Sequence, residues 1–368
     1  MPAALFSPLT LRSLTLRNRV VIAPMCQYSA DDGAATDWHV VHLGRFALGG
    51  AALVFAEATA VSRDGRITHG CTGIWDDKHI APFARVTAFI KQHGAAPGLQ
   101  LAHAGRKASR PRPWDGIPVL PAEGSEPAWP TIGPSAVPFD NWPAPAALDD
   151  AGLARLRDDW RAATRRALAA GFEVVEVHAA HGYLLHEFLS PLSNQRNDRY
   201  GGDLAGRMRF PLEIIRIVRE AWPADKPVFV RVSAVDRVEN GWTLDDTVAF
   251  AREIKALGVD VMDCSSGGNA PMNLFKFEAG YQVPFAERVR RETGLITMAV
   301  GLITDPHQAE DIVSQGQADL IAIAREALFD PNWPLHAARA LNDEPEDMAN
   351  WPQQTRGVLA SRERMRRV

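Results

Sequence analysis

The sequence predicts an α/β fold of the (β/α)8, or TIM barrel, class, built as one domain over residues 1–344. Three observations predict it. Eight short runs rich in Val, Ile and Leu recur along the chain, each followed by a stretch of helical period. Several of these runs are almost continuously apolar, as parallel strands covered on both faces require. The runs end in small or polar residues, and the C-terminal strand ends are where a barrel gathers its chemistry. The 368-residue length exceeds the usual single domain, but α/β barrels commonly do so as one unit.

The first strand is expected at 19–25 and the helix after it at 37–48. The second strand, 52–58, leads to a helix over 78–93, in which Ile80, Phe83, Val86, Phe89 and Ile90 share one stripe and Gly94 stops it. The third strand is 97–102. A helix over 149–170 opens on Asp149-Asp150, where negative charge suits a helix N-terminus. Leu153, Leu156, Trp160, Ala163, Ala167 and Leu168 form its stripe, and Gly171 ends it. Strands at 174–178, 228–233, 259–265, 295–300 and 320–324 then alternate with helices at 204–222, 244–257, 284–293, 305–315 and 331–341. Asp305-Pro306 and Asp330-Pro331 each read as an N-cap followed by Pro at the first helical position. A doubly wound open sheet is the alternative. It would announce a nucleotide site by a Gly-rich turn after an early strand, and no G-x-G-x-x-G occurs in the first half.

Two segments fall outside this rhythm. Residues 106–148 hold ten of the 26 prolines and are too long for an ordinary βα loop. Following the third strand, they lie on the active-site face, either as a cap over substrate or as an edge for subunit contact. Residues 345–368 carry Trp351, Arg356, Arg362, Arg364, Arg366 and Arg367 with little apolar periodicity. By composition they read as a solvated, disordered tail.

Composition narrows the class. The chain is 46% hydrophobic and 23% charged with net charge −4, so no basic field points to nucleic acid. No apolar run approaches the roughly 20 residues of a membrane helix. The start, Met1-Pro2-Ala3-Ala4-Leu5-Phe6, has no basic n-region, so no signal peptide is expected. Cys26, Cys71 and Cys264 are widely spaced, which indicates neither a disulfide framework nor a cysteine metal site and fits a reducing cytoplasm.

The most informative stretch is His178-Ala179-Ala180-His181-Gly182-Tyr183, just beyond the fourth strand. Imidazole N–H groups can hold an oxygen and a phenol can give a proton, a set suited to polarising a carbonyl and protonating the carbon beside it. A pair of unrelated loop histidines is the plain alternative. A metal pair is another, but no Glu lies between the histidines and no third ligand is evident. Other strand ends add Ala23, Pro24, Met25, Cys26 and Tyr28; Glu57 and Ala58; Gln100 and His103; Arg231; Gly301; and Ala324 with Arg325. The last two loops are where many barrels bind phosphate. Gly301 permits close backbone approach, and Arg325 offers a charged fork. Arg231 either meets an anionic or polarised ligand or forms a structural ion pair. Gln100 either presents donor and acceptor to a ligand edge or bonds a neighbouring strand.

These residues resemble the flavin-dependent ene-reductases of the old yellow enzyme family, in particular the thermophilic-like, xenobiotic reductase A-like subclass. The matching stretches are Leu16 to Arg19, Ala23 to Tyr28, Glu57 to Val61, Gly65 to Ile67, Gln100 to Ala108, His178 to Tyr183 and Asn197 to Gly202. The resemblance implies noncovalent FMN over the barrel mouth, NADPH or NADH as hydride donor, small activated alkenes as substrates, and a homodimer or dimer-based tetramer. It places Ala23, Pro24, Met25, Cys26, Ala58, Gln100, Arg231, Gly301, Ala324 and Arg325 against FMN. It implies that His178 and His181 bind the oxygen of the substrate's electron-withdrawing group, that Tyr183 donates a proton, and that Tyr28 contacts substrate. It further implies that Cys26 tunes the flavin and that Arg356 reaches a neighbour's site, with Trp351 as a competing candidate. Ala324 stands where relatives often have Gly, and would be strained if the backbone there needed positive φ. Ala23 replaces a frequent Ser.

Three other readings fit these residues less well. Iron–sulfur relatives such as dienoyl-CoA reductases need clustered cysteines and further domains. A cofactor-free barrel aldolase or isomerase could recruit Lys107 or Glu57, but leaves Gln100, Arg231 and the histidine pair unexplained. A non-catalytic binding protein leaves the same residues without a role.

Overall fold

Eight parallel strands close into a barrel in the order of the chain. They are β1 (Val20–Ile22), β2 (Leu53–Ala60), β3 (Ala96–Ala102), β4 (Val174–Ala179), β5 (Val228–Ser233), β6 (Val261–Ser265), β7 (Ile296–Ala299) and β8 (Leu320–Ile323). Pairing of β8 with β1 completes the ring. The computed structural model describes residues 3–271, 277–345 and 347–366, so Arg367 lies outside the described residues. Helices α1 (Asp37–Leu48), α2 (Ile80–Gln92), α3 (Asp150–Ala169), α4 (Leu204–Ala221), α5 (Leu244–Ala256), α6 (Val283–Thr293), α7 (Pro306–Ser314) and α8 (Trp333–Ala340) follow the strands in turn. The fold is the TIM barrel that the sequence predicts.

Side chains alternate between two apolar layers along each strand. Val20, Ile22, Val54 and Val175 pack outward against Phe46, Phe83, Trp160 and Phe250 of the helices. Val21, Leu53, Phe55, Val174, Phe229, Val261, Met298 and Leu320 fill the barrel interior. Phe55 and Phe229 meet there with ring centroids 5.7 Å apart. Gly98 leaves them room, because a Cβ at that position would lie 2.5 Å from the Phe55 ring. Truncating Phe55 to Ala would open a void costing about 3–5 kcal/mol.

Helix ends follow local chemistry. The Asp149 carboxylate accepts from the Gly152 N–H at 2.7 Å to start α3. Asp305 accepts from His307 N–H at 2.9 Å, with Pro306 opening α7. The expected start of the last helix at Asp330-Pro331 is corrected to Trp333, with Pro334 in its first turn. Asp330 instead accepts from Asn332 N–H at 3.0 Å and pairs with His336 at 2.6 Å, so it shapes the preceding turn. The first strand pairs only over 20–22, shorter than the expected 19–25. Ala23 still donates to Ile323 O at 3.0 Å, but Pro24 has no N–H to extend the ladder.

Three features were not expected. An antiparallel hairpin, Leu9–Leu11 with Leu14–Leu16, precedes β1. Leu11 and Leu16 are buried among the barrel-interior residues. Arg12 at the hairpin turn donates to Asp260 at 2.7 Å, Ala224 O at 2.6 Å and Gly258 O at 2.9 Å. Those acceptors precede β5 and β6, so the hairpin seals the N-terminal end of the barrel. A six-residue helix, Leu184–Leu189, follows the histidine turn. The C-terminal segment forms a helix, Gln353–Arg366, where composition reads as disorder; Glu363 on it pairs with Arg339 of α8. The excursion after β3 is largely irregular, with one short strand pair, Ile132–Gly133 and Ala146–Ala147. No helix among the described residues is long and apolar enough to cross a membrane.

Candidate active site

The end of β4 brings the two histidines and the phenol together. His178 is the register partner of Arg231 on β5. Its Nδ1 accepts from the Ala180 N–H at 3.2 Å, so its proton sits on Nε2. The chain then turns through left-handed conformations at His181 (φ 61°) and Gly182 (φ 74°). Gly182 is required, since a Cβ there would lie 2.2 Å from Gly268 O. His181 donates its backbone N–H to Ser233 Oγ at 2.9 Å, and its Nε2 lies 2.7 Å from Ser265 Oγ. The His178 ring stands edge-on to His181 at 5.1 Å and to Tyr183 at 5.0 Å. Burial, aided by the Arg231 charge, holds both imidazoles well below the usual histidine range. Burial pushes the Tyr183 phenol well up, which keeps its proton on.

A layer that the sequence reading missed holds this turn in place. His186 Nδ1 accepts from Gly182 N–H at 2.9 Å, while its Nε2 lies 2.9 Å from Asp236. Ser190 donates to the same carboxylate at 2.6 Å. Lys107 donates to His181 O at 2.8 Å and Gly268 O at 2.9 Å. Its ammonium lies 4.6 Å from the Phe139 ring centroid and 5.3 Å from that of Tyr183, and burial lowers its pKa to about 8. Lys107 is thus a clamp on the turn. Glu57 is also engaged, accepting from Gln27 N–H at 3.0 Å and lying 3.1 Å from His39 Nε2. The two residues an aldolase would recruit are therefore structural.

Across the mouth, a cavity of about 330 Å3 opens at the ends of β5 to β8. Arg231, Gly301, Ala324 and Arg325 line it together, as does Ser265. Gly301 has φ 125°, and a Cβ there would come within 3.1 Å of Gln282 and Tyr281. Ala324 has φ −127°, so the alanine carries no left-handed strain. Arg325 is exposed and opens the short helix Arg325–Phe329.

The remaining candidates stand at the ends of β1 to β3, outside that cavity. Ala23 is buried, while Pro24, Met25 and Cys26 are half-buried beyond the ladder. Burial and the nearby Glu57 push the Cys26 thiol well up, so it stays protonated. Ala58 follows a register shift in β2. Tyr28 adopts φ 52° and meets Trp114 of the excursion edge-on at 5.9 Å. Arg106 donates to Val137 O at 3.2 Å and Asn269 O at 2.6 Å, tying the excursion to the loop after β6. The excursion therefore leans over the mouth.

The inward polar residues meet partners on neighbouring strands. Gln100 donates to Glu176 of the adjacent strand at 2.8 Å, and its amide oxygen accepts from no partner among the described residues. Arg231 Nε lies 3.0 Å from Asp263 Oδ2, off hydrogen-bond alignment, while its side chain also lines the cavity. Glu176 and Asp263 were missed. Their signal was a lone acid inside an apolar strand, Val175-Glu176-Val177 and Met262-Asp263-Cys264. Arg356 and Trp351 are not brought to the mouth of their own chain. Arg356 is exposed on the C-terminal helix, and Trp351 donates to Glu344 at 2.6 Å.

Residues 4–344 match the model of the NADH:flavin oxidoreductase / NADH oxidase family. The chain belongs to that family. It is 46% identical over 344 residues to an NADPH dehydrogenase of Geobacillus thermodenitrificans, covering 93% of this chain and 95% of the relative. Among solved structures, morphinone reductase in complex with tetrahydroNAD aligns with TM-score 0.76 and 26% identity over 94% of this chain and 93% of that one. The barrel of a 2-naphthoyl-CoA reductase aligns over 94% of this chain with TM-score 0.83. This chain spans 53% of that protein and is 23% identical to it, a likeness of fold alone.

The protein is an FMN-dependent NAD(P)H oxidoreductase of this family, and its residues fit the cofactor. Gly301 leaves a cradle that a Cβ would fill. Arg231 and Arg325 bring positive charge to the cavity, as a phosphate and an electron-rich ring require. Gln100 on β3 adds an amide oxygen with no partner among the described residues. A cavity of about 330 Å3 lies within the ~300–1,000 Å3 range of small-molecule clefts.

Proposed function

We propose that this enzyme reduces the activated C=C bond of α,β-unsaturated carbonyl or nitro compounds, with NADPH or NADH as reductant. The observation that carries this is the trio at the end of β4: two neutral imidazoles and a protonated phenol with ring centroids about 5 Å apart. Neutral N–H groups suit an oxygen that gains negative charge during reaction, because they need no reorganisation to stabilise it.

Ala23, Pro24, Met25, Cys26, Ala58, Gln100, Arg231, Gly301, Ala324 and Arg325 would hold FMN. When bound, FMN supplies hydride transfer from the nicotinamide to the β-carbon of the alkene. His178 presents Nε2–H to the substrate's carbonyl or nitro oxygen, and His181 adds the second donor. Tyr183 delivers its phenolic proton to the α-carbon. Lys107 and His186 keep the turn that carries His181 and Tyr183 from shifting. Tyr28 borders the substrate beneath Trp114. Arg231 stabilises negative charge that builds at the flavin edge.

The same reading extends to assembly. The exposed C-terminal helix favours a C2 dimer, or a dimer-based tetramer, in which Arg356 reaches a neighbour's mouth. The three free cysteines suit a cytoplasmic setting.

Replacing both His178 and His181 with Ala tests the function. Loss of one such donor typically costs about 10²–10³ in rate. The double variant is expected to purify yellow, accept electrons from NADPH, and fail to turn over cyclohexenone. Wild-type turnover of cyclohexenone in that variant would refute the assignment.

A further inference from the structure

Four neighbouring strands of the barrel each place one polar side chain inward, just below the mouth. Gln100 on β3 faces Glu176 on β4, and Arg231 on β5 faces Asp263 on β6. The set contains two carboxyls and one guanidinium, with Glu176 and Asp263 fully buried. Arg231 already stands 3.0 Å from Asp263. Glu176 has a single neutral partner, the Gln100 amide, and its Oε2 has none. An ionised carboxylate without a cation in such a place carries a desolvation cost of several kcal/mol, which a bound proton removes.

We propose that Glu176 is held protonated at neutral pH beneath the barrel mouth, and that in this neutral form it is the positioning residue for the Gln100 amide. The proton belongs on Oε2, because Oε1 accepts from Gln100 Nε2–H at 2.8 Å. That bond consumes one amide N–H and turns the Gln100 oxygen away from Glu176. The charge balance matters as much as the geometry. With Glu176 neutral, Asp263 and Arg231 cancel, and the layer beneath the cofactor is uncharged. With both acids ionised it would carry a net negative charge, opposing the charge that a reduced flavin acquires.

The surroundings support this. Burial, then the Asp263 charge, pushes Glu176 up to about 8 against the pull of Arg231. Asp263 is also raised by burial, but Arg231 beside it favours its charged form. Asp263 is therefore the ionised member of the pair. His178, two residues further along β4, is neutral. Glu57 of β2 spends its oxygens on Gln27 and His39. Val21, Phe55, Met298 and Leu320 from the remaining strands are apolar.

The consequence for Gln100 rests on FMN occupying the mouth, whereas the protonation of Glu176 does not. Two measurements separate them. In FMN-free protein at pH 7, infrared spectroscopy should show a protonated-carboxyl band that is lost in Glu176→Gln. Glu187, another buried acid raised to about 8, contributes its own band, so the part lost on substitution is the readout. No loss would overturn the proposal.

In FMN-loaded protein, Glu176→Gln keeps a carbonyl acceptor for Gln100 and adds no charge. FMN Kd and midpoint potential should therefore stay close to wild type at pH 7. Above about pH 8 the wild type should bind FMN more weakly while the variant does not change. Glu176→Leu removes the anchor and should weaken FMN binding about tenfold, the scale of one hydrogen bond. A Glu176→Gln protein whose FMN potential rises clearly at pH 7 would mean that a negative charge was removed, and would overturn the proposal. If Glu176→Leu does not fold, the Gln variant and the infrared band still decide.

Discussion

The imidazole Nε2 of His181 lies 2.7 Å from the hydroxyl of Ser265, across the mouth from β4 to β6. The same hydroxyl donates to Gln282 Oε1 at 3.4 Å. The Ser265 hydroxyl thus holds one ring nitrogen of His181. The orientation of that imidazole is set from a different strand. Ser265→Ala should release it and lower kcat with cyclohexenone about tenfold, the worth of roughly one hydrogen bond, with FMN content unchanged. Steady-state and stopped-flow kinetics would check this; an unaltered kcat would count against a positioning role for Ser265.

Acid should destabilise the fold through the same histidines. Both are held neutral in the folded chain, well below the usual range, whereas in the unfolded chain they bind protons below about 6.5. The unfolded state then binds more protons, so stability falls as pH drops below about 6.5. Glu176 acts in the opposite sense. It is neutral when folded up to about 8 but ionised when unfolded above about 4.3, so it costs stability as pH rises between those values. Thermal midpoints between pH 5 and 9 should show the acid slope shrink in the His178→Ala/His181→Ala protein. An unchanged slope would contradict the neutral imidazoles.

Cys26 should tune the flavin without forming a bond to substrate. Its thiol is pushed well up by burial and Glu57, so little thiolate is present to attack. Cys26→Ser and Cys26→Ala should shift the FMN midpoint potential and change rates moderately. A cysteine–substrate adduct formed at the rate of turnover, seen by mass spectrometry, would be the opposing result.

The C-terminal helix gives a test of the shared site. Arg356 is exposed in its own chain and has no contact with its own mouth. If a neighbour's Arg356 caps the substrate, Arg356→Ala and truncation after Glu344 should both raise substrate KM with FMN retained. Wild-type KM in both proteins, or full activity in a sedimenting monomer, would exclude it.

The barrel was legible because parallel strands covered on both faces write themselves as apolar runs, and all eight helices begin within two residues of their expected starts. Asp330-Pro331 misled because the same N-cap chemistry serves a turn before Trp333. The hairpin at Leu9–Leu16 escaped because its alternation is only three residues long on each side. The residues that would touch ligand were readable from strand ends. Those that hold them in place, Lys107, His186, Asp236 and Ser265, were not, since their partners lie far along the chain. Lys107 meets His181, and Asp236 meets His186, only after the barrel closes.

The hairpin stopper at the N-terminal end has a kinetic consequence. Leu11 and Leu16 join the side chains that fill the barrel and Arg12 fastens the hairpin, so ligands have no way in from that end among the described residues. On the proposed function, nicotinamide and alkene would then both enter from the opposite end, beneath the overhanging excursion. Reductant would have to depart before oxidant arrives, the two competing for a single berth. Excess of either should slow turnover by occupying the place of the other.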